Sequence, residues 1–192
     1  INPCYVFHPM NSYEDGDTIV LDVARFSHMW RESAMDFPAP ELWRWTIDTG
    51  TGQVSEEQID DRSAEFPRIA DSVIGLKHRY GYMMGMSDGG NSDDPMSTSG
   101  SILKYDRQTG ARTEIEFGRG RVGGEPVFAP SANPTNEDDG YLMTYVHDAQ
   151  SDNSRFVIMD AATMDNTPVA SIDLPRVPNG FHGSWIPASV AN

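Results

Sequence analysis

Short apolar runs, most of them bounded by Asp, Gly or Pro, set the pattern of this chain from end to end. Thr18-Ile19-Val20-Leu21-Asp22-Val23-Ala24-Arg25-Phe26 is β-branched and apolar, follows Gly16-Asp17, and predicts a strand. Trp43-Arg44-Trp45-Thr46-Ile47 alternates as a half-buried strand does, and a further strand is expected at 53–59. Residues 27–42 carry Pro38, Pro40 and several charges and read as a loop. Beyond them, strands are expected at 79–86, 101–105, 112–117, 140–146, 154–159 and 168–174, with a polar Gly/Asp/Ser-rich loop at 87–99. No convincing amphipathic helix interrupts the series. The expected fold class is all-β.

The runs recur at a fixed spacing. A strand ending in Asp, followed by Thr and usually Gly, occurs at Asp48, Asp106 and Asp160, which lie 58 and 54 residues apart. Gly-Tyr leading into Met-containing strand residues occurs at Gly81 and Gly140, 59 residues apart. Strand units repeating at this distance without helices predict a β-propeller, each Asp turn joining the outer pair of strands of one blade. A chain of 192 residues holds about three such blades, whereas a ring takes at least four. The start, Ile1-Asn2-Pro3-Cys4, has neither an initiator Met nor a signal-peptide pattern. The expectation is therefore a partial propeller, with N-terminal blades absent.

Charge narrows the partners. With 14 Lys+Arg against 29 Asp+Glu the formal charge is -15, so phosphates are repelled over most of the surface. Nucleic acid and anionic membrane surfaces are poor partners for it. The single cysteine, Cys4, excludes an internal disulfide and a cysteine-based zinc site and fits a reducing, cytoplasmic location. No apolar run is long enough to span a bilayer.

Two histidines, expected at strand ends more than 170 residues apart, could converge on one ion. His182 stands between Phe181 and Gly183, after Pro178-Asn179-Gly180, where the chain bends and crowding is low. His8 closes the apolar run Tyr5-Val6-Phe7 and precedes Pro9. An imidazole at such a place suits a metal, a substrate or a buried polar partner. His28, His78 and His147 read as surface or packing residues. Asp138-Asp139-Gly140 lacks the rest of a calcium-loop spacing and reads as a turn.

Taken together, FHPMNSYEDGD, EFPRI with HRYGY, GEPVFAP with EDDGYLM, and RVPNGFHG followed by Trp185 and Pro187 resemble the C-terminal portion of the carotenoid cleavage oxygenase family. That family includes the lignostilbene dioxygenases and retinoid isomerases. The motifs stand in the family's order over nearly the whole chain. The resemblance implies a seven-bladed propeller with Fe(II) on its axis, held by four histidines. His8 and His182 match the third and fourth of these, and Glu65 and Glu125 match acidic residues that hydrogen-bond the ligand imidazoles. The stretch bearing the first two histidines and a third such Glu is absent.

The implied reaction adds O2 across one C=C bond of a carotenoid, apocarotenoid or stilbene to give two carbonyl compounds. Its partners are then O2 and an apolar conjugated small molecule; any peripheral membrane contact is expected through the absent portion. Imidazole suits iron, and carboxylates on the far ring nitrogens fix tautomer and orientation. Phe26, Trp30, Phe37 and Phe181 are candidates for the apolar approach. Two other readings stay open. One is a catalytically incomplete propeller fragment acting as an interaction module. The other is a two-histidine-one-carboxylate site complete within this chain, with Glu65 or Glu125 on the metal. Glu65 and Glu125 also suit plain ion pairs with arginines such as Arg68 or Arg79.

Overall fold

The computed structural model describes residues 1–33, 38–86, 99–178 and 181–188. Among these residues thirteen strands form, in three antiparallel sets of four and one short link. The first blade holds β1 (Tyr5–Asp15), β2 (Thr18–Phe26), β3 (Glu41–Asp48) and β4 (Val54–Asp60) in that order. The second holds β5 (Ala64–Arg68), β6 (Tyr80–Gly85), β7 (Ser99–Asp106) and β8 (Arg112–Arg119). After the link β9 (Arg121–Gly123) comes the third, with β10 (Val127–Pro130), β11 (Gly140–Asp148), β12 (Asn153–Asp160) and β13 (Ala170–Leu174). β9 pairs with the end of β11 and meets β7 at Ser99–Arg121, so it stitches the second and third blades into one continuous sheet. A single 3-10 turn, Asp71–Val73, is the only helical element among the described residues.

The repeated aspartates do what their spacing predicts. Asp48, Asp106 and Asp160 each end the third strand of a blade and turn it into the fourth. In each, one carboxylate oxygen accepts backbone N–H groups two or three residues on: Thr51 at 2.7 Å, Gln108 at 2.9 Å, Thr163 at 2.8 Å. The residue closing the turn is left-handed, Gly52 and Gly110 at φ 72° and 75°. In the third repeat Met164 takes that place at φ 53°, held there by burial of its side chain in the core. The repeating glycines have a different cause. A Cβ on Gly81 would meet the Met10 side chain, and one on Gly140 the Ala129 carbonyl and the Phe128 ring.

Strand alternation divides the core between the two blade interfaces. On β6 and β7, Tyr82 and Ile102 face the third blade, with Phe128, Leu142, Val157 and Met159. Their neighbours Met83 and Leu103, together with Ala64, face Met10, Ala24 and Leu42 of the first blade. Each fully buried side chain of this size contributes about 1.5–3 kcal/mol. The Met-rich segment is thus core filling at Met83 and Met84, while Met86 is exposed. Polar ties cross the same seams: buried Lys104 donates to Asp138 at 2.6 Å and to the Ala161 carbonyl at 2.7 Å.

Three details differ from the sequence reading. The loop expected at 27–42 stops at Pro40, and Glu41 and Leu42 already pair with β2. His8 lies inside β1 rather than at a strand end, because the strand runs on through Pro9 to Asp15. His182 follows β13 in irregular chain, not at a strand end. The expected loop 87–99 falls outside the described residues but for Ser99, which opens β7.

Candidate metal centre

Pro9 has no N–H to give to a ladder, and β1 slips register against β2 on both sides of it, between Val6 and Pro9 and between Pro9 and Asn11. This irregularity sets His8 apart from regular alternation, with its ring about one-fifth exposed. β5 lies against β1 and supplies Glu65, which is 5% exposed. The His8 Nδ1 and Glu65 Oε2 are 2.7 Å apart, and the Phe66 N–H donates to the same oxygen. Oε1 of Glu65 is buried without a hydrogen bond. Burial pushes the Glu65 carboxyl above the usual carboxylate range, while the Phe66 amide and the His8 ring pull it back.

The second histidine arrives from the other end of the chain. His182 Nδ1 lies 3.3 Å from Oε1 of buried Glu125, and the next residue, Gly183, donates its N–H to Oε2 at 2.8 Å. One carboxylate therefore fixes both the ring and the backbone beside it. Arg68 Nη1 stands 3.5 Å from the same Oε1. Asn179 and Gly180, which prompted the turn reading, lie outside the described residues.

The two rings meet edge to face, centroids 4.9 Å apart at 78°, with the Nε2 atoms 3.3 Å apart. Each Nδ1 faces a carboxylate and so carries its ring's proton, which leaves both Nε2 atoms as lone pairs. Two lone pairs at this distance repel unless a cation, or a proton making one ring imidazolium, lies between them. Two nitrogens each at about 2.0–2.2 Å from one ion lie about 3–4 Å apart, so the donor set fits a shared metal. Glu65 and Glu125 both occupy the far nitrogens, away from the Nε2 gap. Among the described residues no group of three or more His, Cys, Asp or Glu is arranged to hold a metal, so this chain brings two nitrogens.

Phe66 is the residue that sequence reasoning missed. Its ring stacks on His8 at 5.1 Å and meets His182 and Phe181 edge to face. Its backbone is left-handed at φ 53°, a strained conformation costing on the order of 1–3 kcal/mol. Pro67 after it signals only a restricted backbone, not this one. Of the other aromatics, Trp30 and Phe26 gather on Tyr5 and Phe7, Phe181 meets His182 edge to face, and Phe37 lies outside the described residues.

The remaining histidines stay out of the gap. His28 Nδ1 is 3.0 Å from the Ser27 hydroxyl, and His147 sits in β11 with Nε2 3.7 Å from Asp152. His78 is fully buried, 3.5 Å from Asp22. Arg79 pairs with Asp106 rather than with either glutamate. Asp139 accepts from the Thr135 amide and Asp138 holds Lys104, as suits a turn.

A model of the retinal pigment epithelial membrane protein family (RPE65) matches residues 1–187. The chain belongs to this family, that of the carotenoid cleavage oxygenases. It is 38% identical to the carotenoid cleavage oxygenase of Mycobacterium tuberculosis, over 98% of this chain and 39% of that protein. It is 32% identical to carotenoid 9,10(9',10')-cleavage dioxygenase 1 of Arabidopsis thaliana, over 95% of this chain and 36% of that one. The structure superposes on cobalt-substituted Synechocystis apocarotenoid oxygenase with a TM-score of 0.83 at 29% identity, over 95% of this chain and 39% of the other. The chain thus spans about two-fifths of the length of these family members, and its three blades are part of a propeller of that kind.

Proposed function

We propose that this chain is the C-terminal part of a single β-propeller domain of a non-haem Fe(II)-dependent dioxygenase. The enzyme cleaves a C=C bond of a carotenoid, apocarotenoid or stilbene with O2, one oxygen atom ending on each carbon as a carbonyl. The observation that carries this reading is the paired Nε2 atoms at 3.3 Å, each ring braced at Nδ1 by a buried glutamate. His8 and His182 would hold the ion, which supplies the activation of O2 when bound. Glu65 and Glu125 hold the ring protons at Nδ1 and so keep Nε2 free to ligate. Phe66 and Phe181 present apolar faces beside the rings, as a conjugated hydrocarbon requires.

The name of the Synechocystis relative states that cobalt replaces a metal there, and the curated relatives' names state carotenoid or apocarotenoid cleavage. Both support iron-type chemistry on a carotenoid-type substrate. The proposed location is cytoplasmic; none of the described helices is long and apolar enough to cross a membrane. Two nitrogens make half a site, so turnover is expected of the assembled propeller and not of these blades alone.

The test is metal binding. In the assembled propeller, His182→Ala should abolish stoichiometric uptake of Fe(II) or Co(II), measured by elemental analysis and optical titration, while His28→Ala should leave it unchanged. Equal uptake by wild type and His182→Ala would remove the assignment.

A further inference from the structure

We propose that Arg68 is a positioning residue for His182: it sets the Glu125 carboxylate and, through it, the imidazole, a role that rests on the metal reading above. The argument begins with strand parity. In a regular strand, residues three apart point to opposite faces. Here Glu65 pairs with Met84 and Arg68 with Tyr82, so three steps along β5 answer two along β6. The extra residue is taken up at Phe66, the left-handed position. This bulge returns Arg68 to the face of Glu65. One five-residue strand thereby delivers a carboxylate to His8 and a guanidinium to the carboxylate of His182.

Burial gives the guanidinium its task at Glu125. The Glu125 side chain is 5% exposed, and its two oxygens already serve His182 Nδ1 and the Gly183 amide. A buried carboxylate without a counter-charge is costly and swings toward whatever donors or solvent it can reach. Arg68 is permanently charged and stands 3.5 Å from Oε1, with its other arm 3.9 Å from exposed Asp71. The guanidinium thus holds Oε1 of Glu125 in line with His182 Nδ1, 3.3 Å away. Among the described residues no Lys or Arg pairs with Glu65. The two rings are therefore braced by different means, and loss of Arg68 should reach one ring only.

The test uses the assembled propeller, free of metal and with its histidines labelled with ¹⁵N. Long-range ¹H–¹⁵N spectra should show both rings of the wild type as the neutral tautomer protonated at Nδ1. In Arg68→Met, His182 alone should pass to mixed tautomers with His8 unchanged, and the Co(II) dissociation constant should rise about 10–100-fold, as for loss of a ligand's outer partner. Arg68→Lys, which keeps the charge, should restore most of both. A wild-type His182 pattern in Arg68→Met would overturn the proposal. So would equal change at His8 and His182, or loss of the fold in both Arg68→Met and Arg68→Gln, because Arg68 would then be purely structural. The tautomer comparison needs no metal, so a wild type that takes up no Co(II) would sink the metal reading and leave this one separately decided.

Discussion

At the scale of single residues, Glu65 and Glu125 do the same task with different surroundings. Glu65 is an acceptor whose second oxygen is buried and bare, whereas Glu125 has both oxygens engaged and a cation beside it. Glu65→Gln leaves a group of the same shape that can still accept through its carbonyl oxygen but carries no charge. Metal affinity measured by Co(II) titration should then weaken by about 10–100-fold rather than vanish. Complete loss would instead make Glu65 a direct ligand, the two-histidine-one-carboxylate alternative. His182 was legible from its Gly-flanked bend and the motif around it. An ion pair of Arg68 with one of the glutamates was legible too, but the face that Arg68 takes on β5 was not. An arginine three residues beyond Glu65 points away from it in any regular strand, and nothing in EFPRI announces the bulge.

At the scale of elements, the hairpin turns and the paired glycines carry the repeat. Gly140 opens β11 opposite Pro130, so close to β10 that a methyl group would press on the Ala129 carbonyl and the Phe128 ring. Phe128 itself is stacked on Tyr82 at 5.7 Å and has little room to yield. Gly140→Ala should therefore cost about 1–3 kcal/mol, seen as a lower urea midpoint with an unchanged m-value. Gly81→Ala meets only the flexible Met10 side chain and should cost less.

At the scale of the molecule, polar clusters at the seams make stability depend on pH. His78 is buried between the first two blades, its Nδ1 3.1 Å from the Asn11 amide and its Nε2 3.5 Å from Asp22. Asp22 is already bound by both arms of Arg44 at 2.7 Å, and Arg107 lies 3.8 Å away. Burial holds the His78 pKa below the ordinary histidine value, against the pull of Asp22. Folded chains thus keep His78 neutral where unfolded chains protonate it. The associated stability is complete above about pH 6.5 and is lost as pH falls toward the lowered folded value. Urea midpoints measured at pH 7.5 and 5.5 should fall further for wild type than for His78→Gln; equal drops would show that His78 does not titrate in this way. The outer face of the third blade is apolar, with Tyr141, Tyr145 and Ile172 exposed and Tyr145 against Phe156. That is where the proposed remaining blades would pack.

The sequence by itself determined the strand class, the three blades and the turns that close them, because alternation, Asp-Thr-Gly punctuation and their spacing are local properties of the chain. It also singled out His8, His182, Glu65 and Glu125, through motifs whose order it preserves. Only the tertiary structure decided how these act on one another. The 3.3 Å gap closes between residues 174 positions apart, and its ring tautomers follow from carboxylates 57 positions from each histidine. The two bulges, one at Pro9 and one at Phe66, exist only in the pairing of β1 with β2 and of β5 with β6. Register is a relation between strands, so the faces that His8, Glu65 and Arg68 present are fixed by partners elsewhere in the chain.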